Sequence, residues 1–162
     1  MPKGFTLIEV LIAITIVGIV FGVIITSGSA LQRSSRDTQR EVDLRNLQSA
    51  LQQYYSDQSF YPSAITLATL DSLTSGTGNP TPPATPKTYL NQIPKEPRTG
   101  DPSYCYSAQA TKTIQSCENN SVRCHYYLLC AAKEAASSGQ APSAECEAAC
   151  GSAYNLQVTP IQ

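Results

Sequence analysis

Residues 4–25, GFTLIEVLIAITIVGIVFGVII, decide how this chain is built. From Phe5 to Ile25 the run is almost wholly apolar, and its 21 residues make a helix of about 31 Å. That length is close to the roughly 30 Å hydrocarbon core of a bilayer. The run fits three uses: a secretory signal peptide, an ordinary membrane anchor, or a more specialised segment. A signal peptide has a shorter apolar core, of about 7–15 residues, and a small-residue cleavage site after it. Ser27-Gly28-Ser29-Ala30 has the composition of such a site. Glu9 argues for the specialised reading. A carboxylate placed deep in an apolar span costs roughly 2.5–3.5 kcal/mol, and a plain anchor has no use for one.

Working outward, no proline follows Pro2 until Pro62, and Gln, Arg, Glu, Leu and Ala dominate residues 31–53, so the helix is expected to continue to about Tyr55. Leu44, Leu47, Leu51 and Tyr54/Tyr55 recur at three- and four-residue spacing and mark one buried face. Gln32–Glu41 is polar all round, which predicts exposure to solvent or packing between copies. The alternating charges Arg33, Arg36, Asp37, Arg40, Glu41, Asp43 and Arg45 read as a solvated face with i,i+4 pairs or as a setter of stagger between copies. Gly18, Gly22 and Gly28 serve either as points of local melting or as permission for close helix packing.

Beyond the helix the chain turns polar and rich in loops. Ser59-Phe60-Tyr61-Pro62 closes the helix, a short helix is expected near Leu67–Leu73, and Thr74–Thr88 reads as an exposed Gly/Pro/Thr loop. Strands are expected over Ser103–Ala108, Arg123–Ala132 and Ala153–Thr159. The middle one, containing HYYLLCAA, does not alternate and is compatible with helix. The expectation is an α+β fold: a long N-terminal helix packed on an antiparallel sheet of three or four strands. Six cysteines, Cys105, Cys117, Cys124, Cys130, Cys146 and Cys150, all fall after residue 100. An even number in a small loop-rich region points to disulfides and an oxidising compartment; the CxxC spacing of common zinc sites is missing. Six cysteines allow 15 pairings, and spacing does not choose among them. Ser137–Cys150 is expected to be a loop with a helical turn, pinned by such bonds.

A net charge of −1 excludes a partner held by bulk electrostatics, and no basic stripe for nucleic acid is present. His125 is the only histidine and reads as structural. There is no phosphate loop, HExxH or nucleophile elbow, so neither an enzyme nor a cofactor is expected.

Residues 4–13, GFTLIEVLIA, resemble the class III signal of type IV prepilins and of the pseudopilins of type II secretion. The resemblance implies a leader Met1–Gly4, cleavage after Gly4 by a membrane aspartyl peptidase, methylation of the new Phe5 amine, and an assembly role for Glu9. The implied layout is leader 1–4, membrane and assembly helix 5–25, amphipathic helix 26–58, and a pilin-like head over 59–162 with a disulfide-stabilised C-terminus. The implied partners are copies of the chain and minor pilins in a filament, the prepilin peptidase, an inner-membrane assembly platform, and lipid before assembly. A cleaved N-terminus carries a positive amine that Glu9 of a neighbour can neutralise, so that neither charge is buried singly. Lys3 lies inside against Arg33 and Arg36 outside, which opposes the positive-inside rule. An N-terminus on the cytoplasmic side is nonetheless expected, because the cysteines need an oxidising side and the motif needs its peptidase.

YLNQIPKEPRTGDPSYCY (89–106) is partly similar to the P-x-D-P-W-G-x-P-Y-x-Y run of G-type major pseudopilins, with Glu96 in place of the Asp and Arg98 in place of the Trp. Those pseudopilins bind calcium in a later acidic loop that has no match here, and Asp101 is a poor candidate for a metal. Pilus fibre, secretion pseudopilus and DNA-uptake filament all fit this resemblance. A secreted or tethered disulfide-rich binding module is the alternative from outside the family.

Overall fold

A computed structural model describes residues 4–63, 65, 70–113, 116–134, 143–151 and 153–161, with backbone only for 23–27. Helix α1 spans Leu7–Gln58, 52 residues or about 78 Å. It begins two residues later than Phe5 because Thr6 is its N-cap: the Thr6 hydroxyl accepts from Glu9 N at 3.4 Å. It ends at Ser59, which takes a left-handed conformation (φ 63°) and donates its N–H to Tyr55 O at 2.7 Å.

The two ends of α1 have different surroundings. Every described side chain from Leu7 to Ser35 is exposed, Leu7 by 84%. From Asp37 onward, Asp37, Arg40, Leu44, Leu47, Leu51 and Tyr54 form a single buried face at three- and four-residue spacing. Gln32–Glu41, polar on every side, is therefore not exposed on every side in the folded chain. Asp37 and Arg40 lie beneath the head, because its loops bring carboxylates to meet Arg40. Among the described residues no helix is long and apolar enough to cross a membrane. The unbroken stretch of described, largely apolar side chains that begins at Leu7 ends at Phe21, about 21 Å along the helix. The expected span over 5–25 thus rests in part on side chains outside the described set.

Strand β1 (Leu73–Thr74) pairs antiparallel with β2 (Thr88–Leu90), and Ser75 N donates to Lys87 O across the base of the loop between them. Leu73 is therefore strand rather than helix; residues 67–69 of the expected short helix lie outside the described residues. A second sheet has the order β3 (Cys105–Gln109), β4 (Tyr126–Ala131), β5 (Leu156–Val158), antiparallel throughout. All six residues of β4 are buried. A central strand covered on both faces has no wet side, which is why its sequence lacks alternation and looks helix-compatible. Helix α2 (Ala144–Cys150), capped by Ser143, packs over β3 and β4.

The core between α1 and the sheets is aliphatic at Leu44, Leu47 and Leu51 and aromatic further along. Tyr61 meets Tyr127 edge-on at 4.7 Å, and Tyr106 stacks on Tyr127 at 5.9 Å. Three disulfides join Cys105–Cys150, Cys117–Cys124 and Cys130–Cys146. The C-terminal tail returns to α1, where Gln48 Nε2 donates to Thr159 O at 2.6 Å and Gln52 Nε2 to Ile161 O at 3.1 Å.

Candidate assembly site

At the N-terminal end, Thr6-x-x-Glu9 has the pattern of a capping box, so the sequence that places Glu9 also starts the helix there. A carboxylate in the first turn is favoured by the helix dipole. Gly4 and Phe5 precede the helix in non-helical backbone, with Phe5 82% exposed. Phe5 and Glu9 line one shallow groove with Val10, Ala13 and Ile14. The structure brings Phe5 and Glu9 to the same side of the chain. Thr6 is the functional residue that reading the sequence missed, although a Thr three residues before a Glu at the head of an apolar run is a recognisable start signal.

A second feature lies where the bare helix enters the head. Arg40 is fully buried and donates from Nε to Glu96 Oε1 at 2.8 Å, from Nη1 to Asp37 Oδ1 at 2.6 Å, and from Nη2 to Asp101 Oδ2 at 2.9 Å and Glu134 Oε1 at 3.1 Å. Arg36 grips Glu134 with two 2.6 Å bonds, and Arg98 stands 3.6 Å from Asp101 and 3.5 Å from Glu134. Glu134 N in turn donates to Asp37 Oδ1 at 2.9 Å.

Three guanidiniums and four carboxylates thus join α1, the loop before β3 and the segment after β4. Burial draws the Arg40 pKa down, but its hydrogen bonds to Glu96 and Asp37 outweigh it, and the net direction is up. The hydrogen bond from Arg36, assisted by Arg40, holds the Glu134 carboxyl down at about 2. Asp101 serves as a counter-ion to Arg40 and Arg98. Among the described residues no group of three or more His, Cys, Asp or Glu is arranged to hold a metal ion. His125 is exposed, its ring edge-on to Tyr55 at 6.3 Å.

Residues 2–25 match the family model for the prokaryotic N-terminal methylation motif, and residues 29–118 match that for type II secretion system protein G. The chain belongs to the type II secretion protein G family. It is 34% identical over 112 residues to the type II secretion system core protein G of Pseudomonas aeruginosa, an alignment covering 68% of this chain and 76% of that protein. No solved structure matches it.

The chain is accordingly a pseudopilin-type structural subunit and not an enzyme. The protein G match takes in α1 from residue 29 onward, β1, β2 and β3, together with Arg36, Arg40, Glu96 and Asp101. It stops short of β4, α2, β5 and Glu134, so the disulfide-bonded end and the last carboxylate of the ion cluster lie beyond the matched segment.

Proposed function

We propose that the chain is made as a membrane-inserted precursor with its N-terminus in the cytoplasm, cut after Gly4, methylated on Phe5, and built into a secretion pseudopilus through α1. The observation that carries this reading is the joint presence of the methylation motif over 2–25 and the protein G match over 29–118 in one chain. The exposed apolar half of α1 supports it, since every described side chain is exposed within the subunit over about 44 Å of helix from Leu7 to Ser35. Neighbouring copies, other pseudopilins and, before assembly, lipid are the surfaces that would cover it. Within the filament, Glu9 of one copy neutralises the Phe5 amine of the next. The prepilin peptidase and an inner-membrane platform are the expected partners in processing and assembly.

Intact-mass and N-terminal peptide analysis of the protein from its native membrane tests the processing step. The expected start is N-methylated Phe5. An intact Met1, or a start near Ala30, would overturn the reading in favour of a tethered or secreted module. Glu9→Ala tests assembly separately: the variant precursor is expected to be cleaved yet to enter filaments poorly, and normal incorporation would remove Glu9 from the mechanism.

A further inference from the structure

Cys105 and Cys130 stand directly opposite each other on the neighbouring strands β3 and β4. They are not bonded to one another. Cys105 is joined to Cys150 and Cys130 to Cys146, and the two partners lie four residues apart on α2. Residues opposed across an antiparallel ladder project from the same face, with Cβ atoms about 4.5–5.5 Å apart. Residues four apart on a helix also share a face. All four cysteines accordingly belong to one cluster with Tyr126, Leu128 and Tyr154, while Cys117–Cys124 belongs to the other core. Two disulfides thus lie side by side as rungs between a cross-strand pair and a helical pair. Cys130 and Cys146 are fully buried, whereas Cys105 and Cys150 are half-exposed.

We propose that these four cysteines form a thiol–disulfide exchange site, opened at Cys105–Cys150 by a dithiol reductant of the oxidoreductase class. One thiolate of the reductant attacks a sulfur of Cys105–Cys150. Its second thiol closes the reductant's own disulfide, leaving Cys105 and Cys150 as thiols. The Cys105 thiolate then attacks Cys130 Sγ, forming Cys105–Cys130 and expelling Cys146 as a thiolate that takes up a proton. The first step oxidises the reductant and reduces one protein bond; the second is an exchange with no net redox change.

The product has the sheet stapled to itself and α2 without a covalent tie. Among the described residues, what remains to hold α2 is its apolar packing, the Ser143–Gln157 and Glu145–Gln157 side-chain hydrogen bonds, and the bond from Ser143 N to Tyr154 O. The exchange therefore releases α2 from β3 and β4 while leaving the sheet covalently closed. In the reverse direction, an oxidant of the same class has to resolve the cross-strand bond before α2 can be locked down.

The test is graded reduction of the full-length protein in detergent with dithiothreitol, quenched by alkylation and mapped by peptide mass spectrometry. The expected first stable product carries a Cys105–Cys130 linked peptide, alkylated Cys146 and Cys150, and an intact Cys117–Cys124 bond. Alkylation at Cys105 and Cys150 with Cys130–Cys146 retained would overturn the proposal, and this outcome is read on the wild-type chain without any variant. Cys150→Ser isolates the second step, since it leaves the Cys105 thiol beside Cys130–Cys146. Cys146 is then expected to be alkylated without added reductant about tenfold or more faster than in wild type. In Cys105→Ser/Cys150→Ser this labelling is expected to vanish, and labelling that persists there would count against Cys105 as the attacking group.

Discussion

Arg40 Nε donates a 2.8 Å hydrogen bond to Glu96 Oε1, joining the middle of α1 to the loop before β3 across 56 residues of chain. The bond belongs to a network in which Arg40 is the only fully buried cation among its described members. Removing one partner from such a network strands the others without compensation, at about 3–5 kcal/mol, whereas replacing the whole set by apolar groups is often neutral. Arg40→Met is expected to destabilise the head by that amount, measured by denaturant unfolding in detergent. Arg40→Lys is expected to recover only part of it, because an ammonium cannot reproduce the planar fork that reaches Asp37, Glu96, Asp101 and Glu134.

The same cluster sets a pH dependence. Glu134 has its folded pKa lowered from 4.5 to about 2, chiefly by its hydrogen bonds from Arg36. Its contribution is therefore fully present above about pH 4.5 and is lost as pH falls from there towards 2. Lys133 lowers Glu41 in the same sense. Asp43, raised by burial although Tyr104 hydrogen-bonds to it at 2.8 Å, works in the opposite sense and is favoured by protonation. Tm measured from pH 6 down to pH 2 is expected to drop steeply in the wild type. In Glu134→Gln it is expected to begin lower and fall less. Parallel curves for the two proteins would mean that Glu134 does not carry the acid sensitivity.

How much of this was legible before folding depended on how local the information was. Leu44, Leu47, Leu51 and Tyr54 announce a buried helical face by spacing alone. That same spacing continues back through Arg40 and Asp37, but their charges disguise it, because burying them depends on Glu96, Asp101 and Glu134 arriving from distant parts of the chain. β4 hides for a related reason: a strand covered on both faces loses the period-two pattern that identifies strands. The cysteine count points to disulfides, yet pairing Cys105 with Cys150 requires knowing that α2 folds over β3 and β4. At the N-terminus the motif around Phe5 and Glu9 is wholly local and could be read directly; only the helix start, displaced to Leu7 by the Thr6 cap, differed.

At the far end of α1, Gly78 has φ +61°, and a Cβ placed there would stand 2.7 Å from Ser63 N and 3.0 Å from Pro62 Cβ. Gly100 also has positive φ, at +99°, but a Cβ there would meet nothing within 4 Å. The two positions separate backbone conformation from steric contact. Gly78→Ala is expected to cost about 2 kcal/mol or more, since it combines left-handed strain with a collision against main chain. Gly100→Ala is expected to cost less. Thermal unfolding of the two variants side by side reads the difference, and equal losses would show that the approach to Ser63 relaxes freely.

Asn119 is the hinge on which the same end of the head is fastened. It is buried with φ 58°, a left-handed conformation that Asn tolerates better than most residues. Its Nδ2 donates to Tyr61 O at 2.8 Å and Gly78 O at 3.2 Å, and its Oδ1 accepts from Cys124 N at 2.8 Å. One side chain thus ties the segment after α1, the loop between β1 and β2, and the Cys117–Cys124 loop. Asn119→Ala takes this partner from Tyr61 O and Cys124 N, while Gly78 O keeps its bond from Ser63 Oγ at 3.1 Å; the strained backbone stays, and the change is expected to cost about 2–4 kcal/mol. Asn119→Gly relieves the strain but restores none of the bonds, so it should recover about 1 kcal/mol. Asn119→Asp keeps the acceptor for Cys124 N and turns both donors into repulsion against carbonyl oxygens, so it should be no better than Ala at neutral pH and should improve as the carboxyl is protonated. Denaturant midpoints for the three variants, repeated at pH 7 and pH 4, test that order. A glycine variant as stable as wild type would assign the residue's value to its backbone alone.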